Sequence, residues 1–147
     1  MTSILTVKVK RLTETAQLPK MAKPGDAAYD LFADEDVYLP SVGWILVKTG
    51  IAIELPPGTE AQIRPRSGLS MKHGITVLNT PGTIDEGYRG EIGVILVGHG
   101  MTFEIHKGDR IAQMAIREVP PSQLVEVEQL SDTNRGTGGF GSTGIKS

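Results

Sequence analysis

Hydrophobic and polar positions alternate along much of this chain. In residues 4–10, Leu5, Val7 and Val9 fall on one side and Thr6, Lys8 and Lys10 on the other. That two-residue period predicts a strand with one face buried. Residues 59–64 and 123–127 repeat it, and residues 44–55 read as two strand-like pieces hinged at Gly50. Shorter apolar runs at 37–39, 92–97, 101–105 and 110–116 predict further strands, separated by turn signals at Pro56-Pro57-Gly58 and Lys107-Gly108-Asp109. Residues 13–25, polar and holding Pro19 and Pro24, read as loop. Only residues 67–74 suit a helical turn, and nowhere is a helical period sustained. Short strands at a spacing of roughly 8–12 residues predict an all-β fold, a jelly roll or distorted β-barrel of mostly antiparallel strands.

Two stretches break the pattern. Residues 27–33, AAYDLFA, form an apolar run interrupted by Asp30. A carboxylate in such a run is expected to be half-buried against a polar partner, because a lone buried charge is costly. After Leu130 the composition changes: residues 131–147, SDTNRGTGGFGSTGIKS, have almost nothing to bury. The chain therefore divides into a β-rich domain, 1–130, and a glycine-rich C-terminal arm, 131–147, expected by itself to be disordered.

Composition narrows the classes. The 147 residues suit one domain. A formal net charge of -2 argues against a dedicated nucleic-acid binder. The absence of cysteine excludes disulfides and thiolate chemistry. No run of about 18 apolar residues is present, so no membrane span is expected. Residues 1–12 lack an apolar signal core, and a cytoplasmic protein is expected.

Three constellations carry possible chemistry. Residues 78–92, LNTPGTIDEGYRGEI, hold tight-turn signals at both ends and suggest a hairpin with Asp85 at its shoulder, joined by Asn79 and Tyr88. Taken alone, such a stretch reads first as an ordinary glycine-rich hairpin with surface polar residues. Arg64-Pro65-Arg66-Ser67-Gly68 combines guanidinium, hydroxyl and exposed N–H groups, which suits an anion, although a strand end with a solvated arginine has the same residues. In the arm, Phe140 sits among glycines with Arg135 and Ser142 nearby, a set that can stack on a flat ring and bind phosphate. His73, His99 and His106 have no metal-ligand spacing. Together the groups suit a nucleoside triphosphate with magnesium.

Five segments in order, AAYDLFA (27–33), PRSGL (65–69), NTPGTIDEGYRG (79–90), GDRIAQM (108–114) and RGTGGFGSTG (135–144), resemble the motifs of the homotrimeric dUTPases. The resemblance implies a β-rich trimer with active sites at subunit interfaces, hydrolysing dUTP to dUMP and pyrophosphate with Mg2+. Carried over by residue, Asp85 is the base that activates water, with Arg66 and Gln113 completing the catalytic set. Arg66, Ser67, Gly68 and Gln113 hold the phosphates. Asn79 and the backbone at Gly93 read the uracil, with Thr83 and Ile84 lining the substrate site. Tyr88 lies under the deoxyribose and excludes a 2′-hydroxyl. Asp30 contacts the metal through water. Arg135, Gly141 and Ser142 take the terminal phosphate, and Phe140 stacks on uracil. Ala28 stands where the family often has glycine, and Gly93 where it often has a larger residue. A dCTP deaminase-like enzyme of the same superfamily would need a deaminating glutamate and an arginine-rich motif, neither of which is seen. A non-catalytic nucleotide sensor on the same fold is the alternative from another class.

Overall fold

The computed structural model describes residues 3–146. Its strands are β1 (Lys8–Arg11), β2 (Tyr29–Phe32), β3 (Val37–Leu39), β4 (Trp44–Glu54), β5 (Thr59–Arg64), β6 (Ile75–Val77), β7 (Gly82–Ile84), β8 (Glu91–Gly98), β9 (Phe103–Ile105) and β10 (Arg110–Glu118). One helix, α1 (Ser67–His73), follows β5 and ends at Gly74, whose φ of 63° suits glycine. The strands form two four-stranded sheets, ordered β1-β4-β8-β6 and β2-β10-β5-β7, and a two-stranded sheet of β3 and β9. Every pairing is antiparallel, as a jelly roll requires.

The core lies between the inner faces of the two large sheets. In β8, Ile92, Val94 and Leu96 point inward while Gly93, Ile95 and Val97 are only partly covered. They meet Val47, Ile51 and Ile53 of β4, Ala61 and Ile63 of β5, and Ile111 and Met114 of β10. Each such aliphatic side chain contributes about 1.5–3 kcal/mol by leaving water. Thr49 is the polar exception on this face, and its hydroxyl donates to the Ile92 carbonyl at 2.5 Å.

Four expectations need correction. Of residues 44–55, Trp44–Glu54 form one strand, not two hinged pieces. Between Lys48 and Ala52, four steps along β4 face two along β8, so two extra residues bulge at Gly50, φ 68°. An even insertion leaves the inward set inward. The predicted strand at 4–10 begins only at Lys8, because its partner β4 ends at Glu54 and runs into Pro56-Pro57. Residues 123–127 pair with no other described residues. The chain last bonds the body where Val119 N–H meets the Gly58 carbonyl; Pro120 and Pro121 then offer no donors, and Leu124, Val125 and Val127 lie exposed.

The fourth correction concerns 78–92. The stretch is not a hairpin but a crossover between sheets: β7 pairs with β5 in one sheet, and β8 pairs with β4 and β6 in the other. The tight turns that glycine and proline signalled are present, but they change sheets. No helix is long and apolar enough to cross a membrane.

Candidate functional site

The crossover is held at both ends. Leu78 N–H donates to Ile95 C=O at 2.8 Å, and residues 82–84 are laddered to 61–63. The turn after β7 closes with Tyr88 N–H on the Asp85 carbonyl at 3.0 Å. Two side chains fix its orientation. Glu86 Oε2 accepts the Gly58 N–H at 2.6 Å, and Tyr88 Oη donates to the Glu91 carbonyl at 2.9 Å. The Tyr88 ring folds over Gly90, where any side chain would collide with it. These contacts present Asp85, exposed, at the edge of a cleft of about 280 Å3 lined by Leu46, Thr83, Ile84, Tyr88, Glu91, Gly93 and Ile95. Five residues singled out in the sequence, Thr83, Ile84, Asp85, Tyr88 and Gly93, thus share one cleft. Asn79 lies on the same crossover but outside the cleft lining; its amide folds back toward Gly82.

A second cluster centres on Asp30, which is 4% exposed in β2. Its row across the sheet runs Asp30, Gln113, Arg64. Gln113 Nε2 donates to Asp30 Oδ1 at a long 3.5 Å, Arg66 Nε lies 3.4 Å from Oδ1, and Arg110 Nη1 lies 3.7 Å from Oδ2. The half-buried charge expected from the sequence is buried almost fully and faced by two guanidiniums. Arg66 Nε is itself buried without a hydrogen-bond partner, so its attraction to Asp30 is ionic and its N–H remains unsatisfied.

Arg110 was missed by sequence reasoning, and a bulge explains why. In a regular strand, Arg110 and Gln113 point to opposite faces. Between Arg110 and Ala112, two steps along β10 face one along β2. The single extra residue re-aims the strand and brings both side chains to Asp30. Arg66 then leads into α1, whose first helical bond runs from Ser70 N–H to the Arg66 carbonyl. No side chain caps that start, which leaves Ser67 and Gly68 at an uncapped helix end.

The arm forms a third group. Residues 133–144 make successive local turns, closed by Gly136 N–H on Thr133 C=O, Gly138 on Arg135, Ser142 on Gly139 and Gly144 on Gly141. Arg135 Nε donates to the Gly138 carbonyl at 2.9 Å. Phe140 takes a positive φ of 51° beside Gly141 at 84°, and its ring is fully exposed. Arg135, Phe140, Gly141 and Ser142 therefore lie near one another, and no described hydrogen bond joins them to either cluster. No residue lines both the Asp85 cleft and the Arg66–Arg110 edge of a second cleft, about 460 Å3, beneath α1.

Comparison with known proteins bears on the family and the fold. The chain is 62% identical over 140 residues to the deoxyuridine 5′-triphosphate nucleotidohydrolase of Crocosphaera subtropica, covering 95% of this chain and 99% of that protein. It is 57% identical over 141 residues to that of Alkaliphilus metalliredigens, covering 95% and 98%. Among solved structures, a glycine-to-serine variant of the Staphylococcus bacteriophage 80alpha dUTPase with dUpNHpp superposes with a TM-score of 0.86 at 30% identity, covering 95% and 99%. A dUTPase of phage phi11 of S. aureus, described with a structural Mg(II) ion, gives 0.79 at 27% identity, covering 84% and 97%. The dUTPase family profile matches residues 14–144, and on these grounds the chain belongs to the dUTPase family.

Proposed function

We propose that this chain hydrolyses dUTP to dUMP and pyrophosphate, with Asp85 taking a proton from the water that attacks the α-phosphorus. The observation that carries the reading is the cleft that brings Asp85 together with Tyr88, Thr83, Ile84 and Gly93. The attacking oxygen forms a bond to phosphorus as the bond to the leaving pyrophosphate oxygen breaks. An exposed carboxylate at the rim can orient that water and accept its proton. The Tyr88 ring, fixed by Glu91 and Gly90, lies under the deoxyribose and leaves no room for a 2′-hydroxyl. Asn79 and the Gly93 backbone read the uracil edge. Arg66, Ser67, Gly68 and Gln113 hold the phosphates. Arg135, Gly141 and Ser142 take the terminal phosphate while Phe140 stacks on the base. Such an enzyme lowers dUTP, limits uracil in DNA and supplies dUMP for thymidylate synthesis, functions that suit a cytoplasmic protein.

The residues fit a magnesium ion that arrives on the triphosphate. Mg2+ keeps several waters and is held by one or two carboxylates plus substrate phosphates. Among the described residues no group of three acidic or histidine side chains could hold it alone. In this reading Asp30, faced by Arg66, Arg110 and Gln113, would act on such an ion through water, as the family resemblance implies. When bound, the ion neutralises charge developing on the phosphate oxygens.

The active unit in this reading is the homotrimer that the family resemblance implies, and the base-side cleft and phosphate-side cluster of one chain, which share no lining residue, suit sites completed between subunits. Exposed Leu124, Val125 and Val127 supply apolar surface for association, and a groove of about 650 Å3 between the N-terminal segment and β2–β10 supplies its counterpart. The test is product analysis of purified protein with magnesium and either dUTP or dCTP. Conversion of dUTP to dUMP and pyrophosphate is expected. Formation of dUDP and phosphate, or of dUTP from dCTP, overturns the reading.

A further inference from the structure

Leu46 occupies an unusual place for an aliphatic residue. It lies on the outward face of β4, 56% exposed, yet it lines the Asp85 cleft. Its ladder partner is Ile95, and Lys48 is the residue opposite Gly93. The Leu46 side chain nevertheless leans along the sheet toward Gly93. A Cβ added at Gly93 would lie 2.6 Å from Leu46 Cδ1 and 3.3 Å from Cγ. The space that every other residue type would fill at 93 is taken by the end of Leu46.

We propose that Leu46, resting over Gly93, is a specificity-determining residue that sets the depth of the base subsite for a pyrimidine ring. The inference rests on the reading of this cleft as the dUTP base site. Gly93 offers its backbone to the ring, and Leu46 offers an apolar wall beside that backbone. Burying a half-exposed aliphatic face under a flat ring returns favourable transfer energy, and the ring covers the part of Leu46 that the fold leaves open. Glycine at 93 is what allows Leu46 to lie flat. Any side chain there drives the flexible end of Leu46 outward, into the volume the ring needs. Because the clash falls on the end of a side chain and not on backbone, the fold survives the substitution and only the cleft changes shape.

A double-mutant cycle tests this. Gly93→Ala is expected to raise KM for dUTP about tenfold with kcat changed less than about twofold, the scale of one misplaced methyl group in a pocket. Leu46→Ala alone is expected to raise KM about threefold through lost apolar contact. In the double variant the clash is gone, so KM is expected to match that of Leu46→Ala and not the product of the two single effects. Thermal unfolding of each variant checks that the fold persists. Multiplicative KM effects, or a Gly93→Ala enzyme with unchanged KM, overturn the role of Leu46. A wild-type protein that leaves dUTP intact overturns instead the reading on which it rests.

Discussion

Asp85 and Phe140 both sit exposed in glycine-rich segments, but the two segments are held in different ways. Around Asp85, hydrogen bonds run to both sheets: Leu78 to Ile95, the β5–β7 ladder, Glu86 to Gly58 and Tyr88 to Glu91. Around Phe140, every described bond closes on the arm itself. Glycine content does not distinguish them; the destination of their backbone hydrogen bonds does. The carboxylate proposed as the base is on the anchored segment. The residues proposed to close over substrate are on the unanchored one, where ordering costs about 1–2 kcal/mol per residue and must be offset by ligand contacts.

The largest effect is expected on the anchored side. Asp85→Asn keeps the shape but cannot accept the water's proton, so kcat should fall about 10²–10⁴-fold with dUTP binding nearly unchanged. Pyrophosphate release and binding of a non-hydrolysable analogue give the two numbers. A variant with near-normal kcat removes Asp85 from the base role.

Next comes the unanchored side. A chain ending at Leu130 should unfold at nearly the wild-type temperature, since the arm makes no described hydrogen bond to the body. Its kcat/KM should drop on the order of 10²-fold through lost phosphate donors. Equal activity in the truncated protein takes the arm out of the site.

A smaller effect probes what the anchoring contributes. Glu86→Ala removes the acceptor for Gly58 N–H and should lower stability by about 1 kcal/mol, with a few-fold loss of kcat as the Asp85 turn loosens. Glu86→Gln keeps an acceptor oxygen and should recover most of both. If the alanine variant unfolds and turns over like wild type, backbone bonds alone anchor the crossover.

How far the sequence foretold these regions depends on how local the cause was. Residues 37–39 and 59–64 are strands as predicted, because alternation and a bounding proline are local signals. Asp30 was marked by being an acid in an apolar run, and it is buried against cations. Whether 78–92 turned back on itself or crossed between sheets was not legible, since tight turns serve either path and the partner strands lie far away in sequence. Arg110 escaped for a related reason: its approach to Asp30 depends on a bulge, and nothing in GDRIAQM announces one. Residues 123–127 show the converse, a strand pattern that pairs with no described strand.

The smallest expected effect concerns a loop fastened by side chains. Partial burial alone would raise the Asp34 pKa, but the hydroxyls of Thr13 at 2.5 Å and Thr15 at 2.7 Å, with Lys107 nearby, outweigh it and hold the carboxyl below the usual aspartate value. With the folded pKa below the unfolded one, the stabilisation is present above the unfolded pKa and is lost as pH falls through the folded pKa. Acid unfolding curves should therefore show a loss of stability below about pH 4 that Asp34→Asn makes shallower. An unchanged acid limb assigns the fastening of residues 13–16 elsewhere.

The odd bulge in β10 puts the alternation of faces out of phase along the sequence. Deleting Ile111 would set Arg110 two positions before Gln113, so both would still face Asp30 from a regular ladder, but a buried core side chain would be lost. In β4 the insertion is even, and its neighbours would keep their faces if both extra residues were lost together. Parity thus decides how alternation reads across a bulge: an even insertion leaves the sequence pattern in phase on both sides, and a single one shifts it by one residue.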